Sequence, residues 1–163
     1  MDLEQKDNLN ENTSVVAEAD TDQAVLAQDI TSDEMTVKVQ QDTKRILVVD
    51  DEDDLVVMIS KALRYKGYEV ITANDGQEGL EKAKTGKPDL IVLDLMLPRI
   101  NGYKVCGLLK KDTKYAKIPV ILLTAKANAE DTKLGEEVGA DAYIIKPYER
   151  DVLFSKIEEL MRE

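Results

Sequence analysis

The 163-residue sequence contains no histidine, no tryptophan and a single cysteine, and these absences exclude several classes of protein. Because Cys106 has no partner in the chain, we exclude a small secreted domain held together by disulfides. Histidine is the commonest general base and transition-metal ligand, so any bound metal should instead be a hard cation held by carboxylates. No apolar run approaches the roughly 20 residues that span a bilayer, and the acidic segment 1–12 does not have the pattern of a secretory signal. We therefore expect a cytoplasmic protein with no membrane contact.

Charge and composition change near Thr43. Residues 1–43 contain no glycine, proline or aromatic residue and carry 11 acids against 2 bases. Residues 44–163 carry 22 acids and 20 bases, so most of the net charge of −11 belongs to the first segment. That negative charge argues against a protein that coats nucleic acid. An acidic segment with few large apolar residues cannot offset its chain entropy by burial. We predict a disordered, solubilising tail at 1–43, with a partner-binding segment as the alternative, and one folded domain at 44–163.

Short apolar runs alternate with helical patterns throughout the predicted domain. Five runs have the length and composition of buried strands, and they cover 45–49, 69–72, 90–93, 119–123 and 142–145. Each is followed by helical spacing, at 55–63, 76–84, 102–111, 128–138 and 153–161. The fourth of these helices is weak, with Leu134 and Val138 as its main apolar residues, and we expect it to cost little to move. Repeated strand–helix units with right-handed crossovers form a parallel sheet between two layers of helices. The sequence thus predicts a doubly wound α/β fold, which binds its ligands at the carboxyl edge of the sheet.

Polar side chains that could take part in chemistry follow four of the five predicted strands. They are Asp50 and Asp51 after the first strand, Asp94 after the third, Thr124 after the fourth and Lys146 after the fifth. Taken alone, each has an ordinary explanation as a helix cap, a strand end or a lysine before a turn. In a parallel sheet, however, all of them meet at one edge, where three carboxylates repel one another unless a cation lies between them. Mg²⁺ prefers such oxygen ligands, and a carboxylate beside it can attack phosphorus. The pattern therefore indicates phosphoryl transfer with Mg²⁺ as cofactor.

Four motifs make residues 44–163 similar to the receiver domains of two-component response regulators, the CheY-like superfamily. They are Val-Val-Asp-Asp-Glu at 48–52, Asp-Leu-Met-Leu-Pro at 94–98 followed by Gly102, Leu-Thr-Ala at 123–125, and Tyr143 three residues before Lys146 and Pro147. The resemblance implies a five-stranded, flavodoxin-like sheet with strand order 2-1-3-4-5. It also implies that the protein works in a phosphorelay, in which a histidine kinase or a histidine phosphotransfer protein donates a phosphoryl group.

The resemblance assigns the phosphoryl acceptor and the metal ligands. Asp94 would form the aspartyl phosphate. Asp51 and Asp94 would bind Mg²⁺ directly, together with the backbone carbonyl of Met96, while Asp50 would act largely through water.

The remaining site residues would sense the phosphoryl group. By the resemblance, Thr124 and Lys146 would each contact one of its oxygens, and the bond between Lys146 and Pro147 would be cis. Tyr143 would be the switch aromatic, packing against the fourth helix when Thr124 moves toward the phosphoryl group. The surface of the fourth helix, fifth strand and last helix would then bind a downstream target, while the kinase would dock near 55–63 and 147–150.

Two departures from the family pattern lead to further expectations. Met96 and Lys126 stand two residues after Asp94 and Thr124, where other members of the family carry side chains that can orient an attacking water. Because neither side chain does so, we expect a long-lived acyl phosphate. The acidic tail is the second departure, since receivers normally lack one. With no output domain after residue 163, we expect a single-domain regulator that works through protein contacts without binding DNA directly; a fragment of a longer regulator is the alternative.

Two other functions compete with the phosphorylated switch. An aspartate-nucleophile phosphatase of the haloacid dehalogenase kind needs a second aspartate two residues after the nucleophile, where this chain has Met96. A scaffold that binds partners without phosphorylation is the other alternative, although the complete set of site residues favours the switch. We therefore predict a protein that is not an enzyme, beyond catalysing its own phosphorylation and dephosphorylation.

A run of lysines in the middle of the domain has no place in this chemistry. Lys110, Lys111, Lys114 and Lys117 are interpreted as the solvated end of the third helix, where positive charge complements the helix dipole. Docking of the acidic tail on this run is the alternative.

Overall fold

A computed structural model of the chain describes residues 42–125 and 128–162. The predicted tail therefore lies outside the described residues, apart from 42 and 43. Five strands are present: β1 (Arg45–Val49), β2 (Glu69–Ala73), β3 (Leu90–Asp94), β4 (Val120–Thr124) and β5 (Ala142–Ile145). Five helices alternate with them: α1 (Asp53–Tyr65), α2 (Gly76–Thr85), α3 (Gly102–Lys111), α4 (Ala129–Glu137) and α5 (Arg150–Met161).

All neighbouring strands pair in parallel, in the order β2-β1-β3-β4-β5. Successive side chains of a strand point to opposite faces, and both faces of this sheet are covered. On one face, Leu47 and Val49 pack with residues of α2 and α3, and on the other Ile46 and Val48 pack with residues of α1 and α5. The predicted doubly wound α/β fold and its strand order are confirmed. Within the described residues, no helix combines the length and apolar character needed to cross a membrane.

Short-range capping explains where the helices near the carboxyl edge begin. The Asp75 carboxylate accepts a hydrogen bond from the backbone N–H of Glu78 at 2.8 Å at the start of α2. The Asn101 side chain accepts one from the backbone N–H of Lys104 at 2.9 Å at the start of α3. Each cap satisfies a backbone donor that the first helical turn leaves without a partner. The capped start of α3 fixes the end of the loop that follows Asp94.

The structure corrects the interpretation of Lys110 within the lysine run, whereas Lys111, Lys114 and Lys117 are exposed as predicted. The ammonium group of Lys110 donates hydrogen bonds to the carbonyl of Ala116 at 3.1 Å and of Ile118 at 2.8 Å. It also lies 2.7 Å from a carboxylate oxygen of Asp141, and its side chain is only 13% exposed. Lys110 therefore joins the end of α3 to the entrances of β4 and β5, and is not part of a solvated helix end.

Helix α4 is weakly held, as its sequence predicts, although Leu134 contributes less than expected. Leu134, expected to be one of its two apolar anchors, is 40% exposed, and Gly135 is the buried residue within the helix. Val138, the other expected anchor, directly follows the helix and packs against the core. Because α4 presents a glycine to the sheet, it buries little apolar surface and costs little to move.

Candidate functional site

The carboxyl edge of the sheet brings together three acidic side chains that are distant in sequence. Asp50 and Asp51 follow β1, and Asp94 is the last residue of β3, the strand beside it. One carboxylate oxygen from each residue lies within 4.8 Å of the others, an arrangement that could hold a metal ion. Asp50 and Asp94 are only 1% and 4% exposed, whereas Asp51 faces solvent. The cluster is thus a deep acidic site with one ligand at its rim.

Lys146 supplies the positive charge of this cluster. Its ammonium nitrogen lies 2.9 Å from Asp50 Oδ2 and 3.6 Å from Asp94 Oδ1, and Glu52 Oε1 is 3.8 Å away. Burial alone would lower the pKa of Lys146, but the hydrogen bond to Asp50 and the surrounding carboxylates raise it above its ordinary value. Lys146 is therefore held in its charged form at the centre of the acids.

The backbone of Lys146 fixes its side chain at this edge. Its N–H donates to the carbonyl of Thr124, at the end of the neighbouring strand. The peptide bond between Lys146 and Pro147 is cis, as predicted.

Helix capping does not account for the acids at the end of β1. The residue that precedes α1 is Glu52, and its side chain makes no capping hydrogen bond. The Asp50 carboxylate instead accepts a hydrogen bond from the backbone N–H of Glu52 at 3.0 Å and contacts Lys146 with its other oxygen. Asp50 is therefore oriented toward the interior of the cluster.

Electrostatics single out Asp94. Its pKa is raised to about 6, first by burial and then by the neighbouring Asp50, while Lys146 and the backbone N–H of Met96 lower it in part. Repulsion by Asp51 raises the pKa of Asp94 by a smaller amount. The one ammonium group therefore does not balance the acids, and a divalent cation among them would favour the ionised carboxylate.

The loop after Asp94 runs close beneath the site. A Cβ on Gly102 would lie 2.3 Å from the backbone oxygen of Asp94, so no larger residue fits there without movement. The N–H of Gly102 donates to the carbonyl of Leu95 at 3.0 Å, which closes the loop. The Met96 side chain projects from it and is 65% exposed. Lys126, its predicted counterpart near the site, lies outside the described residues.

Two further site residues lie on the next strands of the sheet: Thr124 on β4, beside β3, and Tyr143 on β5, beside β4. Thr124 is buried at the end of β4 and lines a cavity of about 130 Å³ together with Met96, Tyr103 and Asp131. Tyr143 lies on the same face of the sheet and pairs in register with Leu122, two residues before Thr124. The structure thus places Thr124 at the same edge of the sheet as the carboxylates, and Tyr143 in register with a residue two positions further from that edge.

Sequence reasoning missed Tyr103 and Asp131. Tyr103 stands in the first turn of α3 and its hydroxyl donates to the backbone carbonyl of Asp131, in the first turn of α4, at 3.0 Å. Both residues occur at positions where the helical pattern requires no particular side chain. Their proximity depends on how α3 and α4 pack, which residue spacing within each helix does not encode.

Comparisons with known proteins agree with this geometry. The sequence matches the response regulator receiver domain family over residues 46–158. It is 45% identical over 119 residues to the alkaline phosphatase synthesis transcriptional regulatory protein PhoP of Bacillus subtilis, covering 73% of this chain and 49% of that protein. The chain thus spans about half the length of the curated relatives it matches.

Solved structures show the same fold. A receiver domain protein (CheY-like) from Methanospirillum hungatei is 32% identical with a TM-score of 0.70, covering 74% of this chain and 94% of that one. The chemotaxis protein CheY4 of Vibrio cholerae is 30% identical with a TM-score of 0.68, covering 72% and 98%. With the family match, the strand order and the acidic cluster in agreement, the chain belongs to the response regulator receiver domain family of two-component signalling.

Proposed function

We propose that the chain is a phosphorylation-dependent switch in which Asp94 accepts a phosphoryl group from a histidine kinase or a histidine phosphotransfer protein. One observation carries the proposal: a buried carboxylate with a raised pKa lies within 4.8 Å of two other acids and 3.6 Å from an ammonium group. These acids and Lys146 belong to the sequence motifs by which the chain resembles this family. The chain is then a signalling protein, and its only catalysis is of its own phosphorylation and dephosphorylation.

The donor set suits Mg²⁺. All the available side-chain ligands are carboxylate oxygens, which hard cations prefer. After burial, repulsion by Asp50 is the next cause of the raised pKa of Asp94, and a cation would relieve that repulsion. Asp51 and Asp94 would hold the ion with the backbone carbonyl of Met96, while Asp50 would contact it through water. When bound, Mg²⁺ would neutralise negative charge on the phosphoryl oxygens.

Three side chains would carry out the transfer and bind the phosphoryl group. A carboxylate oxygen of Asp94 attacks phosphorus, and the bond from phosphorus to the donor's leaving atom breaks with its electron pair going to that atom. Lys146, which contacts Asp50 at 2.9 Å, would turn to a phosphoryl oxygen. The Thr124 hydroxyl, at the end of the next strand, would donate a hydrogen bond to another.

Phosphorylation would alter the surface formed by α4, β5 and α5. Helix α4 buries little against the core, so modest changes in the position of Thr124 and Tyr143 can move it. Exposed apolar side chains on this surface, Leu134, Ile145 and Val152, would contact a downstream target. We propose that the segment acts through such protein contacts in the cytoplasm, without contacting DNA itself.

The phosphoryl donor would dock on a different surface. A groove between α1 and α5 is lined by apolar and aromatic side chains and by three basic residues and one acid: Met58, Ala62, Tyr65, Phe154, Lys61, Lys66, Arg150 and Asp151. It adjoins the segments 55–63 and 147–150, so an apolar helix face with acidic flanks would fit there.

Incubation with acetyl phosphate tests the proposal without knowledge of the kinase. Intact-mass spectrometry should show one phosphoryl adduct that requires Mg²⁺ and is lost in Asp94→Asn. Asp112→Asn, at the opposite end of α3, should keep the adduct. An adduct that persists in Asp94→Asn would contradict the proposal. If neither acetyl phosphate nor beryllofluoride binds to the wild type, the phosphorylation-independent scaffold is the better account.

A further inference from the structure

A groove beside α3 has no part in the function proposed above. Its volume is about 430 Å³, and its lining includes Lys104, Gly107, Leu108 and Lys111 of α3 together with Val138, which directly follows α4. Among the described residues, no acidic side chain lines it. The groove therefore combines apolar side chains with positive charge.

The four α3 residues of the groove lie on one face of the helix. Gly107, Leu108 and Lys111 stand three, four and seven residues after Lys104, the spacing at which helical side chains share a face. The two lysines are thus two turns, or about 10 Å, apart. Leu108 lies between them and is exposed although it is apolar. This face offers an apolar centre with a positive charge at each end.

The charge at the two ends of this face is not balanced by the chain around it. Lys110, the neighbouring lysine, is paired with Asp141 at 2.7 Å. Lys104 and Lys111 are exposed, and neither forms an ion pair within residues 42–125 and 128–162. Helix α3 itself contains no acid. Charge complementarity therefore favours an acidic partner.

Gly107 keeps the centre of the groove open. A Cβ at this position would have its nearest neighbour, Val138, at 3.8 Å, which is an ordinary contact, so packing within the domain does not require glycine. Glycine in the middle of a helix is destabilising relative to alanine. The chain thus gives up helix stability here and keeps space beside Val138, into which an apolar side chain of a partner fits.

We propose that this groove binds an acidic amphipathic helix of another protein. Two apolar side chains of that helix would lie over Gly107 and Leu108, and a carboxylate would reach each lysine. A helix that mirrors the α3 face carries acid, apolar, apolar and acid residues at i, i+3, i+4 and i+7. The apolar centre and the net charge of −11 favour a protein over a nucleic acid. The groove shares no lining residue with the one between α1 and α5, and binding there does not depend on phosphorylation of Asp94.

The first experiment titrates the full-length, unphosphorylated chain with a synthetic helical peptide, so its result is independent of the proposed function. The peptide carries Glu, Leu, Leu and Glu at i, i+3, i+4 and i+7 in a background of alanine and glutamine. Amide shifts in nuclear magnetic resonance spectra should change saturably at 103–111 and 138, and binding should weaken as salt is added. A permuted peptide, with leucines and glutamates on opposite faces, should bind at least about tenfold more weakly. No saturable change in the groove at about 1 mM peptide, or equal binding of the permuted peptide, would overturn the proposal.

The second experiment locates the peptide with variants of the groove. Lys104→Gln and Lys111→Gln should each bind it about two- to fivefold more weakly. The matched control Lys114→Gln changes an exposed lysine outside the groove and should alter the affinity less than about twofold. Gly107→Ala should bind at least about fivefold more weakly, although its free energy of unfolding is equal to or above that of the wild type. Wild-type affinity in Gly107→Ala, or equal losses in all three lysine variants, would overturn the proposal.

Discussion

The ammonium group of Lys146 contacts the carboxylate of Asp50 at 2.9 Å, although 96 residues separate them in the chain. Asp50 is the most deeply buried acid of the cluster, so the lysine neutralises the charge that water solvates least. Asp94 lies 0.7 Å further from the lysine (3.6 Å against 2.9 Å), which leaves its carboxylate available for other partners. Phosphorylation of Asp94 would then draw Lys146 away from an existing ion pair.

Removing Lys146 should destabilise the chain when divalent cations are absent. Lys146→Met leaves two buried acids without a counter-charge, and we expect a loss of about 3 kcal/mol in the free energy of unfolding at neutral pH. Urea denaturation in EDTA measures it. Lys156→Met breaks an exposed ion pair with Glu159 of 2.8 Å and should cost less than about 1 kcal/mol. Equal losses in the two variants would contradict the central role of Lys146.

Asp94 should make stability fall as pH rises. Burial raises its pKa to about 6 from 3.8, so the folded chain holds this proton more tightly than the unfolded chain. The free energy of unfolding therefore decreases between about pH 4 and pH 6, and the loss persists at higher pH. Asp94→Asn removes this loss and should be more stable than the wild type by about 2 kcal/mol at neutral pH in EDTA. Since the sequence has no histidine, no imidazole titrates in this window.

Urea denaturation of both proteins at several pH values checks this expectation. The difference in stability between Asp94→Asn and the wild type should grow from about pH 4 to pH 6 and then stay constant. A difference that is the same at every pH would show that the carboxyl of Asp94 titrates as it does in the unfolded chain.

Mg²⁺ binding should depend on the exposed acid at the rim of the cluster. Asp51→Asn removes one charged ligand from the three oxygens within 4.8 Å, and we expect at least tenfold weaker Mg²⁺ binding by isothermal titration calorimetry. Asp54→Asn removes a charge that is also exposed, in the first turn of α1 and outside this cluster. Asp54→Asn should change the affinity for Mg²⁺ less than threefold. Similar losses in both variants would indicate that Mg²⁺ is attracted by the overall negative charge and not bound by the three carboxylates.

Two glycines of α3 should respond differently to alanine. A Cβ at position 102 would lie 2.3 Å from the backbone oxygen of Asp94, whereas one at 107 would have its nearest neighbour at 3.8 Å. Gly102→Ala should therefore lower the free energy of unfolding by about 2 kcal/mol or more. Gly107→Ala should be neutral or stabilising by up to about 1 kcal/mol, since alanine favours the helix. Thermal or urea unfolding of the two variants measures these changes. If Gly102→Ala lowers the free energy of unfolding only slightly, the loop after Asp94 can shift to accommodate the added methyl group.

The lifetime of the acyl phosphate should depend on Met96. We expect its exposed thioether to hinder water that approaches Asp94 and to orient none, so the purified phosphoprotein should persist for minutes or longer. Met96→Asn, which offers water a hydrogen bond, should shorten the lifetime severalfold. Decay of the adduct, followed by intact mass, gives both values. A wild-type half-life of seconds would contradict the shielding role.

The sequence was sufficient to predict the fold and the main cluster because both follow from local rules. Apolar runs and helical spacing set the ten elements, and parallel strands place Asp50, Asp94 and Lys146 on one edge whatever the details of packing. The strand order, by contrast, came from the family resemblance, since alternation alone permits other doubly wound sheets.

Contacts between helices could not be predicted in this way. The spacing of Lys110 suggested a solvated helix end, but its long side chain folds back to three oxygen acceptors supplied by the chain between α3 and β5. Leu134 has the apolar character of an anchor, yet the buried position falls to its neighbour Gly135 because Tyr143 occupies the space beneath α4. Tyr103 joins that arrangement only once α3 and α4 are packed.

The most direct test of the central claim is to locate the phosphoryl group in the wild-type chain. Reduction of the phosphoprotein with borohydride converts an aspartyl phosphate to homoserine, which peptide mass spectrometry then places in the sequence. The account predicts homoserine at position 94 alone, formed only when Mg²⁺ and acetyl phosphate are both present. Homoserine at position 50 or 51, or a phosphoryl group on a residue outside the acidic cluster, would contradict it.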